Sequence, residues 1–408
     1  MDWADSAEES AFRSQVRQLI EDRLPGFYRD RESGPAGVSP QYWWQWDVLH
    51  GDEEARSSAL AWADALGEHG WGAPHWPTEY GGAGLSAIEQ FILNQEFAHA
   101  QAPLVGGPGV KMLGPTIMLH GTEEQKQSFL LPTLAGEMIW AQGYSEPGAG
   151  SDLASLTTRA VRDGDDYIVT GQKIWTSLGH VANWIFMIVR TDPEAPKHRG
   201  ISFLLLPLDS PGVEVRPIIS AAWERRTNES FYERVRVPVT NRVGEENRGW
   251  YVAMTLLDHE RSNVGGAVAQ RREVEELLAY LRSDEGGERS RLGRLDSIRQ
   301  LLASRYLETE ILANFSFRII SIQRSGRVPN YEASISKIVG SELSQGLQQS
   351  AMKAFGLYAT LWPGSPHAPL GGVHTYRSVD HISSTIAAGS NEIQRNVIAT
   401  RGLGLPRG

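Results

Sequence analysis

A block of strand-like sequence between two stretches of helical periodicity limits what this chain can fold into more than any other feature. The runs Tyr167-Ile168-Val169-Thr170, 184–189, 201–206 and 231–237 are rich in β-branched and aromatic residues. Turn signals such as Asp163-Gly164-Asp165 separate them. They describe a mainly antiparallel sheet or barrel over roughly residues 139 to 245. Helical periodicity returns at Trp250 and continues nearly to the end. At 408 residues the chain exceeds one ordinary hydrophobic core. The expectation is an α+β protein of three parts: an N-terminal α-helical domain (1–138), a middle β-barrel or sheet domain (139–246), and a C-terminal four-helix bundle (247–408) that also forms the subunit interface.

In the first part Phe12, Val16, Leu19, Ile20 and Leu24 recur at helical spacing until Pro25 and Gly26 close the run. The patch Tyr42-Trp43-Trp44-Gln45-Trp46 reads as a helix packed on the core; a second reading has some of its rings lining a wide apolar mouth. Trp76-Pro77-Thr78-Glu79-Tyr80-Gly81-Gly82 is a turn cluster. Helical patterns follow at 87–98, 113–119 and 123–134. Thr122 caps the last, with Glu123 and Glu124 in the first turn, where carboxylates suit the helix dipole. Gly106, Gly107 and Gly109 leave two readings open: room for a bulky ligand beside Trp43, or loop geometry.

The bulk composition narrows the partners. Net charge is −10, which speaks against nucleic acid or an anionic membrane. With no cysteine there is no disulfide framework, no thiolate nucleophile and no cysteine metal site, and no other metal site is expected. No apolar run reaches membrane-spanning length, and the acidic start Met1-Asp2-Trp3-Ala4-Asp5 does not read as a signal peptide. The expectation is a soluble, cytoplasmic protein.

Two stretches carry the chemistry. Tyr144-Ser145-Glu146-Pro147-Gly148-Ala149-Gly150-Ser151-Asp152 is a glycine-rich turn whose backbone can approach a ligand and offer amide donors. Gln172-Lys173-Ile174-Trp175-Thr176-Ser177 ends a strand-like run. Alone, the first is only a turn and Trp175 is a core residue. Together they describe two edges of a flat, polar-rimmed slot that a tricyclic flavin ring would fill. These stretches, the Tyr80-Gly81-Gly82 turn and the C-terminal Gly402-Leu403-Gly404-Leu405-Pro406-Arg407 resemble the acyl-CoA dehydrogenase family over nearly the whole chain.

The resemblance implies FAD, bordered by Gln142, Tyr144, Ser145, Gly150 and Ser151. Trp175 would cover one ring face beside Thr176, Ser177 would bond the flavin N5, and Ser390 and Glu392 would complete the cofactor side. It also implies a base for the weakly acidic carbon next to a thioester carbonyl, in a pocket dry enough to raise a carboxylate's pKa. Many relatives take that base from a Tyr-Glu-Gly-Thr segment, but here Ala388 stands in the glutamate's place. The family's second arrangement draws it from an Asp-x-Glu-Arg turn, which matches Asp258-His259-Glu260-Arg261 and makes Glu260 the expected base. A solvated, ion-paired glutamate is its plain alternative. Asp258 and Arg261 would hold the CoA portion and the helix start, or form an ordinary ion pair. The N–H of Ala388 would bind the thioester oxygen.

The implied reaction is α,β-dehydrogenation of an acyl-CoA to the trans-2-enoyl-CoA, Glu260 taking the α-proton and flavin N5 the β-hydride. Electron-transfer flavoprotein would be the acceptor, and the assembly a homo- or hetero-oligomeric dimer of dimers. Two stretches depart from the family. Its Arg-x-x-Phe-Gly segment is replaced within 283–293, where Arg289, Arg291 and Arg294 are candidate substitutes or the segment is a solvated loop. Its Gln-x-x-Gly-Gly segment reads Met352-Lys353-Ala354-Phe355-Gly356. Both lie in the half-site that a neighbouring subunit donates. The alternatives are therefore a half-site or non-catalytic partner in a hetero-oligomer, or a diverged flavin oxidase or monooxygenase.

Overall fold

Helices begin where a hydroxyl can cap them. Ser6, Ser86 and Thr122 each accept from a backbone N–H three residues on, and Glu9, Glu89 and Gln125 answer with a bond back to the cap. These boxes start α1 (Ala7–Arg23), α5 (Ala87–Ala100) and α7 (Glu123–Leu134); between them lie α2 (Gly26–Arg29), α3 (Trp43–His50), α4 (Glu53–Gly67) and α6 (Gly114–His120). The computed structural model describes residues 5–31, 42–260, 265–293, 296–325, 327 and 329–406, with the backbone alone for 258–260, 265, 266, 268 and 324. The chain divides into two compact units, Met1–Glu260 and Arg261–Gly408.

Tryptophan organises the helical part of the first unit. Trp44, Trp62, Trp76 and Trp140 are fully buried, and each indole N–H has an acceptor: Ala59 O at 2.8 Å, Pro103 O at 3.0 Å, Val110 O at 2.9 Å and Thr133 Oγ1 at 2.9 Å. Burying such a side chain removes roughly 150–250 Å² from water, about 4–6 kcal/mol before entropy is counted. The helix expected at the Trp43-Trp44 patch is α3, packed through Trp44 and Val48 against α4 and its neighbours. The tightness of Gly106, Gly107 and Gly109 favours their loop reading. Gly106 and Gly107 have φ of 74° and 50°, and a Cβ at Gly109 would sit 2.5 Å from Trp140 Cδ1. Their small size is consumed by packing.

The sheet has eight strands: β1 (Trp140–Gly143), β2 (Arg159–Asp163), β3 (Asp166–Lys173), β4 (Trp184–Arg190), β5 (Ile201–Pro207), β6 (Val213–Ile219), β7 (Arg225–Pro238) and β8 (Arg242–Val243). Their order is β6-β7-β3-β2-β4-β5-β8, with β1 beside β4. Pairing is antiparallel except where β1 and β2 meet β4. β4 and β5 are covered on both faces. Phe186, Ile188, Phe203 and Leu205 pack with Trp76, Leu113, Phe129 and α8 (Gly249–Glu260), while Ile185, Met187, Leu204 and Leu206 join Tyr167, Val169 and Val235. β6 is an exposed edge strand carrying Glu214, Arg216 and Pro217.

The second unit comprises α9 (Gly265–Arg282), α10 (Asp284–Glu288), α11 (Asp296–Arg324), α12 (Tyr331–Phe355), α13 (Val373–Asp380) and α14 (Asn391–Val397). Val274, Leu277 and Leu281 meet Ile298, Leu302, Leu347, Ala351 and Phe355 at helical spacing to form its core. The segment 283–293 contains α10, capped by Ser283, instead of an uninterrupted loop. Arg289 is paired with Glu285 at 2.5 Å, Arg291 N–H donates to Ala354 O at 2.7 Å, and Arg294 lies outside the described residues.

Gly82 marks how tightly the Tyr80-Gly81-Gly82 turn closes on Trp76, because a Cβ there would lie 2.2 Å from Trp76 O. Gly82→Ala is expected to destabilise the protein by about 1–3 kcal/mol, the usual cost of overpacking. A urea titration against the wild type measures it; an unchanged midpoint would contradict the close approach.

Candidate active site

β1 leads the chain into the glycine turn, and β3 ends beside it. Ser145 O accepts from Ile174 N–H at 2.9 Å, so the two motifs separated in sequence run side by side. Within the turn Glu146 and Ala149 exchange backbone hydrogen bonds of 3.0 Å, closing it at Pro147 and Gly148. A Cβ at Gly148 or Gly150 would meet nothing within 4 Å. That side of the turn is open.

A buried ion pair holds the two edges together. Lys173 Nζ lies 2.8 Å from Glu146 Oε1, with side chains 0% and 4% exposed. Lys173 also donates to Tyr144 O at 3.1 Å. Glu146 accepts from Thr157 N–H, Thr157 Oγ1 and Thr158 N–H at 2.7, 2.8 and 2.9 Å. Burial pushes the Glu146 carboxyl up, but Lys173 and the threonine donors outweigh it and hold its pKa at about 2. Burial draws the Lys173 ammonium down against the attraction of the carboxylate. Gly171, at φ 150°, lets β3 pass this cluster: a Cβ there would lie 2.6 Å from Thr158 Oγ1.

Past Lys173 the chain turns sharply. Trp175 and Leu178 both adopt left-handed backbone, with φ of 60° and 63°. For bulky residues this is uncommon and costs on the order of 1–3 kcal/mol. Trp175 is nevertheless 59% exposed. A strained turn that lifts an indole out of the core is placed for contact with something beyond the core.

The residues expected around a flavin divide by position. Ser151, Gly150, Trp175 and Ser177 are exposed, and Gln142 and Ser145 are half-buried beside them in sequence. Tyr144 turns inward, its ring edge-on to Phe186 and Phe203 in the sheet core. Thr176 is also fully buried, 3.5 Å from Ser230 Oγ, so both contribute through backbone and packing. In the second unit Ser390 caps α14, Glu392 is exposed and pairs with Arg395 at 3.5 Å, and Ala388 adopts φ 53° ahead of Gly389. Asn391 pins this turn to α12 by accepting from Lys337 at 2.8 Å and Ser341 at 3.1 Å. Glu260 and Asp258 lie at the end of α8, their side chains outside the described residues, as is all of Arg261. α8 itself is fixed by Val252, Ala253 and Leu256 in the core and by a 2.9 Å contact between Thr255 Oγ1 and His120 Nε2.

Glu146 and Lys173 stand within the two motifs, but neither motif assigns them a role. The signal was present: Lys173 falls on the inward parity of β3 with Tyr167 and Val169, where a lysine requires a partner. Asn228, which bonds Thr176 in the Trp175 turn, and His180, which bonds Asn228, belong to no motif at all.

Three family signatures cover the chain: the acyl-CoA dehydrogenase N-terminal domain at residues 6–137, the middle domain at 141–232 and the C-terminal domain at 247–403. Acyl-CoA dehydrogenase FadE26 of Mycobacterium tuberculosis is 42% identical over 84% of this chain and 86% of its own. Among solved structures, the Tcur3481-Tcur3483 steroid ACAD is similar at TM-score 0.83 and 35% identity, covering 100% of both chains. The ChsE4-ChsE5 complex from Mycobacterium tuberculosis is similar at TM-score 0.79 and 36% identity, again covering 100% of both. The chain belongs to the acyl-CoA dehydrogenase family, flavoprotein oxidoreductases of lipid metabolism, and has its three-part fold. Among the described residues no helix is long and apolar enough to cross a membrane.

Lys173→Met strands a buried carboxylate and is expected to cost about 3–5 kcal/mol, whereas Glu146→Gln together with Lys173→Met recovers much of that loss. The Glu146 pKa is lower folded than unfolded, so the stability it confers is full above pH 4.5 and is lost as pH falls towards 2. Denaturant titrations between pH 6 and 2 should therefore show a steeper decline in the wild type than in the double variant. Parallel slopes would contradict the clamp.

Proposed function

We propose that this chain catalyses FAD-dependent α,β-dehydrogenation of an acyl-CoA thioester to the trans-2-enoyl-CoA. The single observation that carries the reading is Trp175, exposed on a strained turn and tied through Lys173 to the open glycine turn. The residues present fit a flavin. An exposed indole would cover a ring face, Ser177 and Ser151 have free access to a ligand's polar edge, and Gly150 leaves room for close backbone approach. When bound, FAD supplies the hydride-accepting chemistry.

The protein's own part is to bind, orient and move one proton. Glu260, at the end of a helix anchored in the core, takes the α-proton from the substrate. The Ala388 N–H stabilises the negative charge that develops on the thioester oxygen. Asp258 and Arg261 hold the CoA portion. Ser390 and Glu392 complete the cofactor side, and electron-transfer flavoprotein accepts the electrons, on family grounds. The same grounds support a cytoplasmic location.

A polycyclic, steroid-type acyl group is the proposed substrate class, supported by the likeness to a steroid ACAD. A hetero-oligomer is the proposed assembly. Its support is the replacement of the pyrophosphate-gripping segment by α10, whose Arg289 is already paired with Glu285, together with the likeness to a two-component complex. In that assembly a different homologue completes the flavin site, and this chain contributes Glu260 and the Trp175 edge.

Glu260→Gln is expected to retain flavin colour and acyl-CoA binding while kcat falls about 10²–10⁴-fold, the usual contribution of a positioned base. Steady-state kinetics with a ring-bearing acyl-CoA tests this. Undiminished turnover would remove Glu260 from the mechanism, and no turnover in the wild type, alone or with its partner subunit, would favour a non-catalytic role.

A further inference from the structure

The turn that presents Trp175 is held by a side chain outside both motifs. Asn228, near the start of β7, is fully buried. Its backbone N–H donates to Thr176 O at 3.1 Å, its carbonyl accepts from Thr176 N–H at 2.9 Å, and its Nδ2 donates to the same Thr176 O at 2.8 Å. Across the sheet, Asn228 faces Pro217 of β6, which has no N–H. Gly179, on the returning limb of the turn, is where a Cβ would come within 3.1 Å of Asn228 Nδ2. The amide is seated against both limbs.

Thr176 O can only accept, so it settles which end of the Asn228 amide is nitrogen. That same Nδ2 lies 3.1 Å from His180 Nδ1. A donor there requires Nδ1 to offer its lone pair, so His180 is neutral and carries its proton on Nε2. Burial holds the His180 imidazole below its ordinary pKa, in the same direction. Asn228 Oδ1 and His180 Nε2 are buried without a hydrogen-bond partner among the described residues. Such atoms cost about 1–3 kcal/mol each, a penalty that apolar side chains filling the same space would not incur. The position uses the amide donor, at that cost.

We propose that Asn228 is the positioning residue for turn 175–177, with a neutral His180 aligning its amide, and that the pair fixes the face this turn offers to the cofactor. The inference rests on the flavin reading above. Asn228 is fully buried and acts through Thr176.

The test compares Asn228→Leu, His180→Leu and His180→Asn with the wild-type holoprotein. The His180→Asn substitution puts an amide oxygen where Nδ1 sits and keeps the acceptor, whereas leucine fills the space without one. FAD affinity, read by flavin fluorescence, is expected to weaken about tenfold in Asn228→Leu and His180→Leu, as for one lost hydrogen bond, and to stay near wild type in His180→Asn. The emission of Trp175, isolated by subtracting the Trp175→Phe counterpart of each chain, should shift in the same two variants without any cofactor. Should Asn228→Leu not fold, the two His180 variants decide alone. Wild-type affinity and emission in both leucine variants, or equal damage in His180→Asn and His180→Leu, would overturn the proposal. Wild-type protein that binds no FAD, alone or with its partner subunit, would instead fail the flavin reading, and the indole emission would still decide whether Asn228 sets the turn.

Discussion

A lysine ammonium and a glutamate carboxylate removed together from water join the two halves of the candidate cofactor edge. Such a pair repays its desolvation only when its remaining hydrogen-bonding capacity is filled. Here Thr157, Thr158 and the Tyr144 carbonyl fill it. The consequence is geometric. A glycine turn with open space at its outer side and a strand end with a strained, exposed indole become one rigid surface, although nothing in the local sequence of either would fix it against the other.

That surface is supported by the rest of its unit. β4 and β5 are buried on both faces, and α8 lies on one of them, so the helix that ends at Glu260 grows out of the same core that anchors Tyr144. The second unit repeats the logic independently: Asn391 and Gln394 tie the left-handed pair Ala388 and Gly389 to α12. In both units the groups with proposed roles sit at the ends of elements whose own packing is complete. This is how a fold presents chemistry without loosening its core.

Much of this was legible in the residues. α7 begins and ends where its cap and periodicity place it, and β4 and β5 follow their apolar runs nearly to the residue. Among the strands that escaped, β1 is buried but only four residues long, whereas β2 and β6 turn most of their side chains to solvent. β6 carries Glu214, Arg216 and Pro217, and β2 has one buried residue in five, so neither shows the alternation a half-buried strand should. β7 begins six residues before the expected 231, because its first part pairs with the exposed β6. The site was legible as motif and not as geometry. Ser151, Trp175 and Ser177 stand exposed, but Tyr144 and Thr176 had looked equally available and are spent on the core, since which side of a turn a residue faces depends on contacts made far away in sequence. Asn228 is the extreme case, its role created by a partner 52 positions away.

The measurement that bears most directly on the whole account is an anaerobic titration of the FAD-loaded protein, alone and assembled with its partner subunit, with a panel of acyl-CoA thioesters, following the visible flavin absorbance. The account predicts bleaching by a ring-bearing acyl-CoA with the matching enoyl-CoA as product. A flavin that stays oxidised with every thioester, or that turns over only with oxygen and releases hydrogen peroxide, would contradict it.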